Sequence, residues 1–273
     1  MLNTLDPAII AREIKDAQDR ATQLVPITIR TESFDLPAAY AVAQLVCDAR
    51  RMEGLITVGR KIGFTNSSLR DTYGVREPVW GYMYDRTVVH LETQHASCSL
   101  RAFAEPKIEP EIVFGLRAAS DLCANLPTTL LSIEWIAHGF EIVQSHFPGW
   151  KFQAADTIAD GGLHGMLLVG SKQPLSRFGS NALESLESFS LSLSRDGVLV
   201  EVGRGSNVLG NPVGALNHLV SVLAKQPDSE KLQAGEIVTT GTITAAYPVR
   251  VGEVWESDLR GISLPGLTVK FIE

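Results

Sequence analysis

Cysteine is scarce. Cys47, Cys98 and Cys123 are the whole complement of this 273-residue chain, an odd number with no Cys-x-x-Cys spacing. That argues against a disulfide framework or a structural zinc site, and it leads us to expect a reducing, cytoplasmic setting. No basic run is present, and acids outnumber bases 31 to 24 for a net charge of −7. A nucleic-acid partner is therefore not expected, because it demands a phosphate-neutralising surface. No apolar stretch reaches the roughly 18–20 residues of a membrane span. Residues 1–20 mix acids and bases throughout, so neither a membrane partner nor a signal peptide is expected. Internal repeats, low-complexity tracts and linkers are missing as well. There is no His-Glu-x-x-His pair, no Gly-x-Ser-x-Gly around Ser67, Ser68 or Ser206, and Gly203-Arg204-Gly205 completes neither a dinucleotide fingerprint nor a Walker loop. A serine nucleophile and nucleotide binding are disfavoured accordingly.

What is present is globular material, 45% hydrophobic and 20% charged, in a chain long enough to bury a substantial core. Asp6 and Pro7 open a helix whose apolar face runs through Ile10, Ile14, Ala17, Ala21 and Leu24. Asp35 and Pro37 open a second, which passes Cys47 and reaches about Met52 before Gly54 stops it. These helices read as scaffold or oligomer contact. The period then drops to two, with Ile56, Val58, Ile62 and Phe64 on one side of a strand and Thr57, Gly59, Lys61 and Gly63 on the other. Residues 65–105 read as turns and short strands, 131–138 as a short helix, Phe140–Ser145 and Met166–Val169 as strands. Asp196-Gly197 joins two alternating runs in the clearest hairpin of the chain. A late helix is expected from Pro212 to about Lys225, with further strands at Glu236–Thr240, Val249–Val251 and Leu267–Phe271. The simplest assembly is α+β, a helical segment over residues 1–55 before a strand-rich unit over 56–273.

Lys107-Ile108-Glu109-Pro110-Glu111-Ile112-Val113-Phe114 carries the chemistry. On a strand, Glu109 and Glu111 share one face at roughly 6–7 Å, while Ile108, Pro110, Ile112 and Phe114 make the other face apolar. Two such carboxylates repel unless a cation lies between them. An oxygen-only donor set selects Mg²⁺ or Mn²⁺ over zinc. The competing reading is a solvated acidic face on which Lys107 pairs with Glu109. Pro110 suggests an edge strand or an irregular one. Glu141, between Phe140 and Ile142, either faces outward or is held by a partner, and as a third ligand it completes a tri-carboxylate site. Lys61, flanked by glycines, is either a solvated lysine or a residue with room for a ligand beside it. The turn at Thr240-Gly241-Thr242 can offer N–H groups to a carboxylate. His138, His146 and His164 read as structural or exposed, with a helix-to-strand change separating His138 from Glu141. Cys47 and Cys123 read as packed thiols.

Six pieces in order resemble the fumarylacetoacetate hydrolase superfamily, most closely its branch of 2-oxopent-4-enoate hydratases and 4-oxalocrotonate decarboxylases from aromatic meta-cleavage catabolism. They are Gly59-Arg60-Lys61-Ile62-Gly63-Phe64-Thr65, Lys107-Ile108-Glu109-Pro110-Glu111-Ile112, Phe140-Glu141-Ile142-Val143, Ala159-Asp160, Val208-Leu209-Gly210-Asn211-Pro212 and Thr240-Gly241. The resemblance implies a mixed β-roll of that superfamily's C-terminal-domain type and a homo-oligomer. It further implies Glu109, Glu111 and Glu141 as ligands of Mg²⁺ or Mn²⁺, with Lys61 as a catalytic or substrate-binding base. Asp160, Thr240 and Gly241, together with the cations Lys107, Lys151 and Arg204, become candidates for holding the substrate. Three positions depart from the pattern: Val79 stands where the hydratases carry an acid, residues 243–249 look more like the decarboxylase loop, and Gly161 replaces an Asn. The expected activity is a lyase acting on an unsaturated 2-oxo acid, decarboxylation of 2-oxohex-3-enedioate ahead of hydration of 2-hydroxypenta-2,4-dienoate. C–C hydrolysis of an acylpyruvate or β-diketone is the rival from another class, and a complex with a paralogous hydratase or decarboxylase is a possible partnership. A non-enzymatic partner of an active paralogue is opposed by the intact glutamates and Lys61.

Overall fold

The computed structural model describes residues 6–31, 33–118, 125–226 and 229–273, so Cys123 lies outside the described residues. Asp6 caps helix α1 (Pro7–Arg20) by accepting from Ala8 N, and Ile10, Ala11, Ile14 and Ala17 form its buried face. Ala21, at φ 49, ends the helix, which leaves Leu24 beyond it. A single turn, α2 (Ile27–Arg30), leads to α3 (Leu36–Met52), capped by Asp35 and followed by Gly54 at φ +88. Both long helices begin and end where their capping residues stand in the sequence. They pack with Val79, Phe147, Ile158 and Ala159 in one buried cluster, closed against the region that follows.

After them come β1 (Thr57–Gly63), α4 (Ser67–Tyr73), β2 (Val79–Tyr84), β3 (Val88–His90), β4 (His95–Ser99) and β5 (Lys107–Leu116). Next are α5 (Leu126–Leu131), β6 (Ile133–Val143), α6 (Ala154–Ala159), β7 (His164–Val169), β8 (Gln173–Pro174) and α7 (Ala182–Ser188). The hairpin β9 (Ser190–Arg195) and β10 (Val198–Arg204) follows, then α8 (Pro212–Lys225), β11 (Ile237–Thr242), β12 (Tyr247–Pro248), β13 (Val254–Arg260) and β14 (Thr268–Ile272). A nine-stranded sheet runs β2-β1-β11-β5-β6-β7-β3, with β12 beside β5 and β8 beside β6. A five-stranded sheet runs β10-β9-β13-β14-β4. Both are mixed: β1–β11, β3–β7 and β14–β4 are parallel within otherwise antiparallel ladders. This is the expected α+β arrangement, a mixed β-roll preceded by helices. No helix among the described residues is long and apolar enough to cross a membrane.

The core explains which way β5 faces. Ile108, Ile112 and Phe114 are buried with Leu191, Leu193, Trp255 and Phe271 of the smaller sheet. The alternation of a strand then puts Glu109 and Glu111 on the opposite face. Along that face β5 continues as Val113 into a second apolar cluster with Ala137, Leu167 and Ile237, which closes one end of the roll.

Four local expectations need correction. Residues 133–138 belong to β6, not to a helix: both faces of that strand are buried, so its run is nearly continuously apolar and lacks the alternation that marks a strand. His138 and Glu141 therefore share one strand, three apart and on opposite faces. Val249–Val251 is irregular chain running into a turn, and the strand lies at Val254–Arg260. Residues 67–73, read as turns and short strands, form α4. Of the two readings of Pro110 the edge strand fails and the irregular one holds: β5 is interior, and Pro110 is tolerated beside a register shift in β11 between Thr239 and Thr242. The hairpin is as read, with Asp196 at φ 51 and Gly197 at φ 77 forming its turn. Cys47 and Cys98 are buried and unpaired in disulfide terms.

Candidate metal centre

Glu109 and Glu141 stand directly opposite each other in the β5–β6 ladder, and Thr242 of β11 stands opposite Glu111. Carboxylate oxygens from Glu109, Glu111 and Glu141 all lie within 4.8 Å of one another. Lys61 arrives from β1, which β11 and β5 separate from β6. In a flat sheet those strands would lie about 14 Å apart. Yet Lys61 Nζ is 3.4 Å from Glu141 Oε2, so the curl of the sheet brings the lysine over the acids.

Each group is held by its neighbours. Gly241 N donates to Glu111 Oε2 at 2.9 Å, at φ +91. A Cβ on Gly241 would meet Thr65 Oγ1 at 2.0 Å. Thr65 Oγ1 in turn donates to Thr240 O, and Thr240 Oγ1 to Ile112 O. Thr240 and Gly241, expected as a turn, lie inside β11 at its register shift and are committed to positioning Glu111. His164 Nδ1 donates to Glu141 Oε1 at 2.7 Å, and its Nε2 lies 2.8 Å from Thr87 Oγ1. Lys61 Nζ donates to Gly162 O at 2.9 Å. Gly161 and Gly162 are both left-handed, at φ +64 and +68. Asn tolerates that region as well, which accounts for Gly161 standing in place of an Asn.

The electrostatics are unbalanced without a further cation. Burial pushes the Glu109 carboxyl up to about 7 despite Lys61. Burial, reinforced by Glu141 and Glu109, drives Glu111 well above the usual carboxylate range. Burial acts on Glu141 too, but Lys61 and His164 outweigh it and hold that carboxyl at about 2. For Lys61, burial favours the neutral amine, and the three glutamates overcome it and raise the pKa. Glu111 Oε1 and Glu141 Oε2 are buried without any hydrogen-bond partner. Three converging oxygen donors, two of them resisting ionisation because of burial and like charge, and the unpartnered Glu111 Oε1 fit a hard divalent ion.

A narrow cavity of about 20 Å³ sits over the acids, bordered by Lys61, Glu109 and Thr242 and by the rings of Phe64, Tyr73 and Trp150. Lys107 stands behind two of those rings: its Nζ donates to Tyr73 Oη at 2.8 Å and lies 3.8 Å from the Trp150 ring centroid. The remaining expected residues lie elsewhere. Lys151 and Arg204 are exposed and do not border this cavity. Asp160 is buried and accepts from His146 Nδ1 at 2.8 Å and Gln18 Nε2 at 3.1 Å. Its carbonyl accepts from Leu163 N, so it braces the turn that presents Gly162 O to Lys61. Val79 is buried among the N-terminal helices, away from the cavity.

His164 is the functional residue that sequence reasoning passed over. An acid inside an apolar strand needs a partner, but nothing in the sequence says which of six histidines supplies it. Arg60 was missed as well. It is fully buried, 4.4 Å from the Tyr82 ring centroid and 3.1 Å from Glu236 Oε1, bracing β1 behind Lys61. His138 bonds Glu111 O and Ser257 Oγ on the back of the sheet, joining the acid-bearing strand to the smaller sheet.

No family model matches the chain. It is 29% identical over 256 residues to the 2-keto-4-pentenoate hydratase of Paraburkholderia xenovorans, covering 92% of this chain and 90% of that one. Among solved structures it is similar to the 4-oxalocrotonate decarboxylase from Pseudomonas putida G7 complexed with magnesium and adipate, with a TM-score of 0.89, 24% identity, and coverage of 98% and 99%. It is similar more distantly to fumarylpyruvate hydrolase from Pseudomonas aeruginosa in complex with Mn²⁺ and pyruvate, with a TM-score of 0.56, 16% identity, and coverage of 78% and 88%. The chain is thus similar in sequence to 2-keto-4-pentenoate hydratases, and in fold to a 4-oxalocrotonate decarboxylase and, more distantly, a fumarylpyruvate hydrolase.

Proposed function

We propose that this chain belongs to the fumarylacetoacetate hydrolase superfamily and is a divalent-metal-dependent lyase acting on unsaturated 2-oxo acids, with decarboxylation of 2-oxohex-3-enedioate as its reaction. The observation that carries the reading is the convergence of Glu109, Glu111 and Glu141 beneath Lys61 in a buried cavity. Those three residues would hold Mg²⁺ or Mn²⁺. Once bound, such an ion supplies Lewis-acid polarisation of a 2-oxo carboxylate.

The chain's own groups do the rest. Lys61 is the only cation among the described residues bordering the cavity. Loss of CO₂ from the far end of the conjugated acid moves an electron pair toward the 2-oxo oxygen, and Lys61 would deliver the proton that oxygen needs. Phe64, Tyr73 and Trp150 wall the cavity and exclude water, which strengthens these charge interactions. His164 keeps Glu141 oriented and ionised toward the cation.

Hydration of 2-hydroxypenta-2,4-dienoate is the second reading, favoured by the hydratase relatives at 29% identity. Hydrolytic C–C cleavage has weaker support, because no histidine borders the cavity among the described residues. A homo-oligomer, with or without a paralogous hydratase or decarboxylase, belongs to the same proposal. The test is incubation of Mg²⁺- or Mn²⁺-loaded protein with each of the two compounds, following ultraviolet loss and CO₂ release. CO₂ from the enedioate is the expected result. Turnover of the dienoate alone makes the protein a hydratase, and turnover of neither overturns the reading.

A further inference from the structure

The cavity over the acids, about 20 Å³, is too small for a six-carbon acid. One water already needs roughly 10–15 Å³ of such space. A longer substrate must extend into one of two adjoining spaces. The first, about 480 Å³, shares Tyr73 with the cavity, and there Asp35 and Glu77 accompany Arg76 beside Phe34, Leu36 and Val79. Two carboxylates and an apolar wall make it a poor place for another anion.

The second space, about 370 Å³, shares Asn66 with the cavity and is bordered by Thr65, Ser67, Arg70, Ser206 and Asn207. Its single carboxylate, Glu201, is occupied by Ala245 N at 2.9 Å and Tyr247 Oη at 2.8 Å. Arg70 Nε is buried there with no hydrogen-bond partner. Asn66, Arg70 and Tyr73 fall at i, i+4 and i+7 at and along α4, a single helical stripe. The first and last of the three border the acid cavity, and the middle one, Arg70, borders the larger space that adjoins it at Asn66. The other nearby cations are engaged or distant. Lys61 is held by Glu141 and Gly162 O, Lys107 by Tyr73 and Trp150, and Lys151 and Arg204 are exposed outside both linings.

We propose that Arg70 forms a second anion subsite that takes the far carboxylate of a dicarboxylic 2-oxo acid whose 2-oxo end sits at Glu109, Glu111 and Glu141. The inference rests on the 2-oxo acid reading and adds the selection of diacids over monoacids. A guanidinium N–H left unpartnered in a polar pocket gains a charge-assisted bond when a carboxylate arrives, and a methyl terminus provides none.

The test separates binding from turnover. Calorimetry on Mn²⁺-loaded protein compares 2-oxoadipate with 2-oxohexanoate, two saturated probes that differ only in the far carboxylate. Wild type is expected to bind the diacid at least about tenfold more tightly, a ratio in keeping with one charged hydrogen bond. Arg70→Gln is expected to bring that ratio close to one while leaving 2-oxohexanoate affinity in place. Arg70→Lys keeps part of the preference, and Arg76→Gln keeps all of it. Equal loss of both probes in Arg70→Gln makes Arg70 structural and overturns the proposal, as does a preference that survives in that variant. Wild type binding both probes alike removes only the Arg70 subsite. Wild type binding neither removes the 2-oxo acid reading with it.

Discussion

Lys61 and Glu141 come together from strands that are not neighbours, and their 3.4 Å approach defines the residue-scale chemistry. Lys61→Ala is expected to lower kcat on the preferred substrate about 10²–10⁴-fold, the usual range for losing a positioned proton donor. Removing this cation from beside three glutamates should leave Mn²⁺ affinity equal or tighter. Steady-state kinetics and calorimetry on the same preparation check both, and an equal fall in turnover and metal affinity would count against the assignment. At this scale the sequence exposed the acids well, because Glu109 and Glu111 at spacing two must share a face whenever the segment is extended. It left Lys61 undecided between solvent and site. Which side of β1 is covered depends on chain that is distant in sequence. His164 and Arg70 were invisible for the same reason: each acquires meaning only from what folds against it.

At the scale of elements, the register shift in β11 matters most. It places Gly241 where its N–H reaches Glu111 and where a side chain would strike Thr65. Gly241→Ala is expected to cost on the order of 1–3 kcal/mol from the left-handed backbone alone. The 2.0 Å approach to Thr65 Oγ1 adds to that cost and disturbs Glu111. The variant should therefore show both a lower Tm and weaker Mn²⁺ binding. An unchanged melt with unchanged metal affinity would remove this role from Gly241. Elements with punctuation of their own were legible. Asp6-Pro7, Asp35 with Pro37, and Asn211-Pro212 start helices where they stand, and Asp196-Gly197 turns a hairpin. Strand β6 was misread because it is buried on both faces, which erases the polar alternation that would have marked it.

For the whole molecule, the acid cluster is a point of stored repulsion that a divalent ion relieves. Free Mn²⁺ at a hundredfold excess over its Kd should stabilise the fold by about 2.7 kcal/mol. The effect has a definite pH sign. Burial raises Glu109 to about 7, above its ordinary value. The folded metal-free protein then holds a proton more firmly than the unfolded chain, and it loses stability as pH rises from about 4.5 through 7. Metal binding needs the ionised form and strengthens over the same window. Glu141, held at about 2, is ionised throughout and contributes nothing to the difference. The Mn²⁺-induced rise in Tm should therefore be larger at pH 8 than at pH 6, measured by thermal melts with and without metal. An equal rise at both values would count against Glu109 as a ligand that titrates in this window.

From sequence alone come the amphipathic helices, the hairpin, the paired glutamates on one strand face and the isolated Glu141, because these follow from local spacing, capping and turn chemistry. Tertiary structure alone decided that the glutamates converge, that Lys61 lies over them, that His164 orients Glu141, and that Asp160 braces a turn instead of lining the cavity. Those outcomes depend on how far a mixed sheet curls and which distant side chains its curl brings within hydrogen-bond reach. No periodicity along the chain encodes that distance.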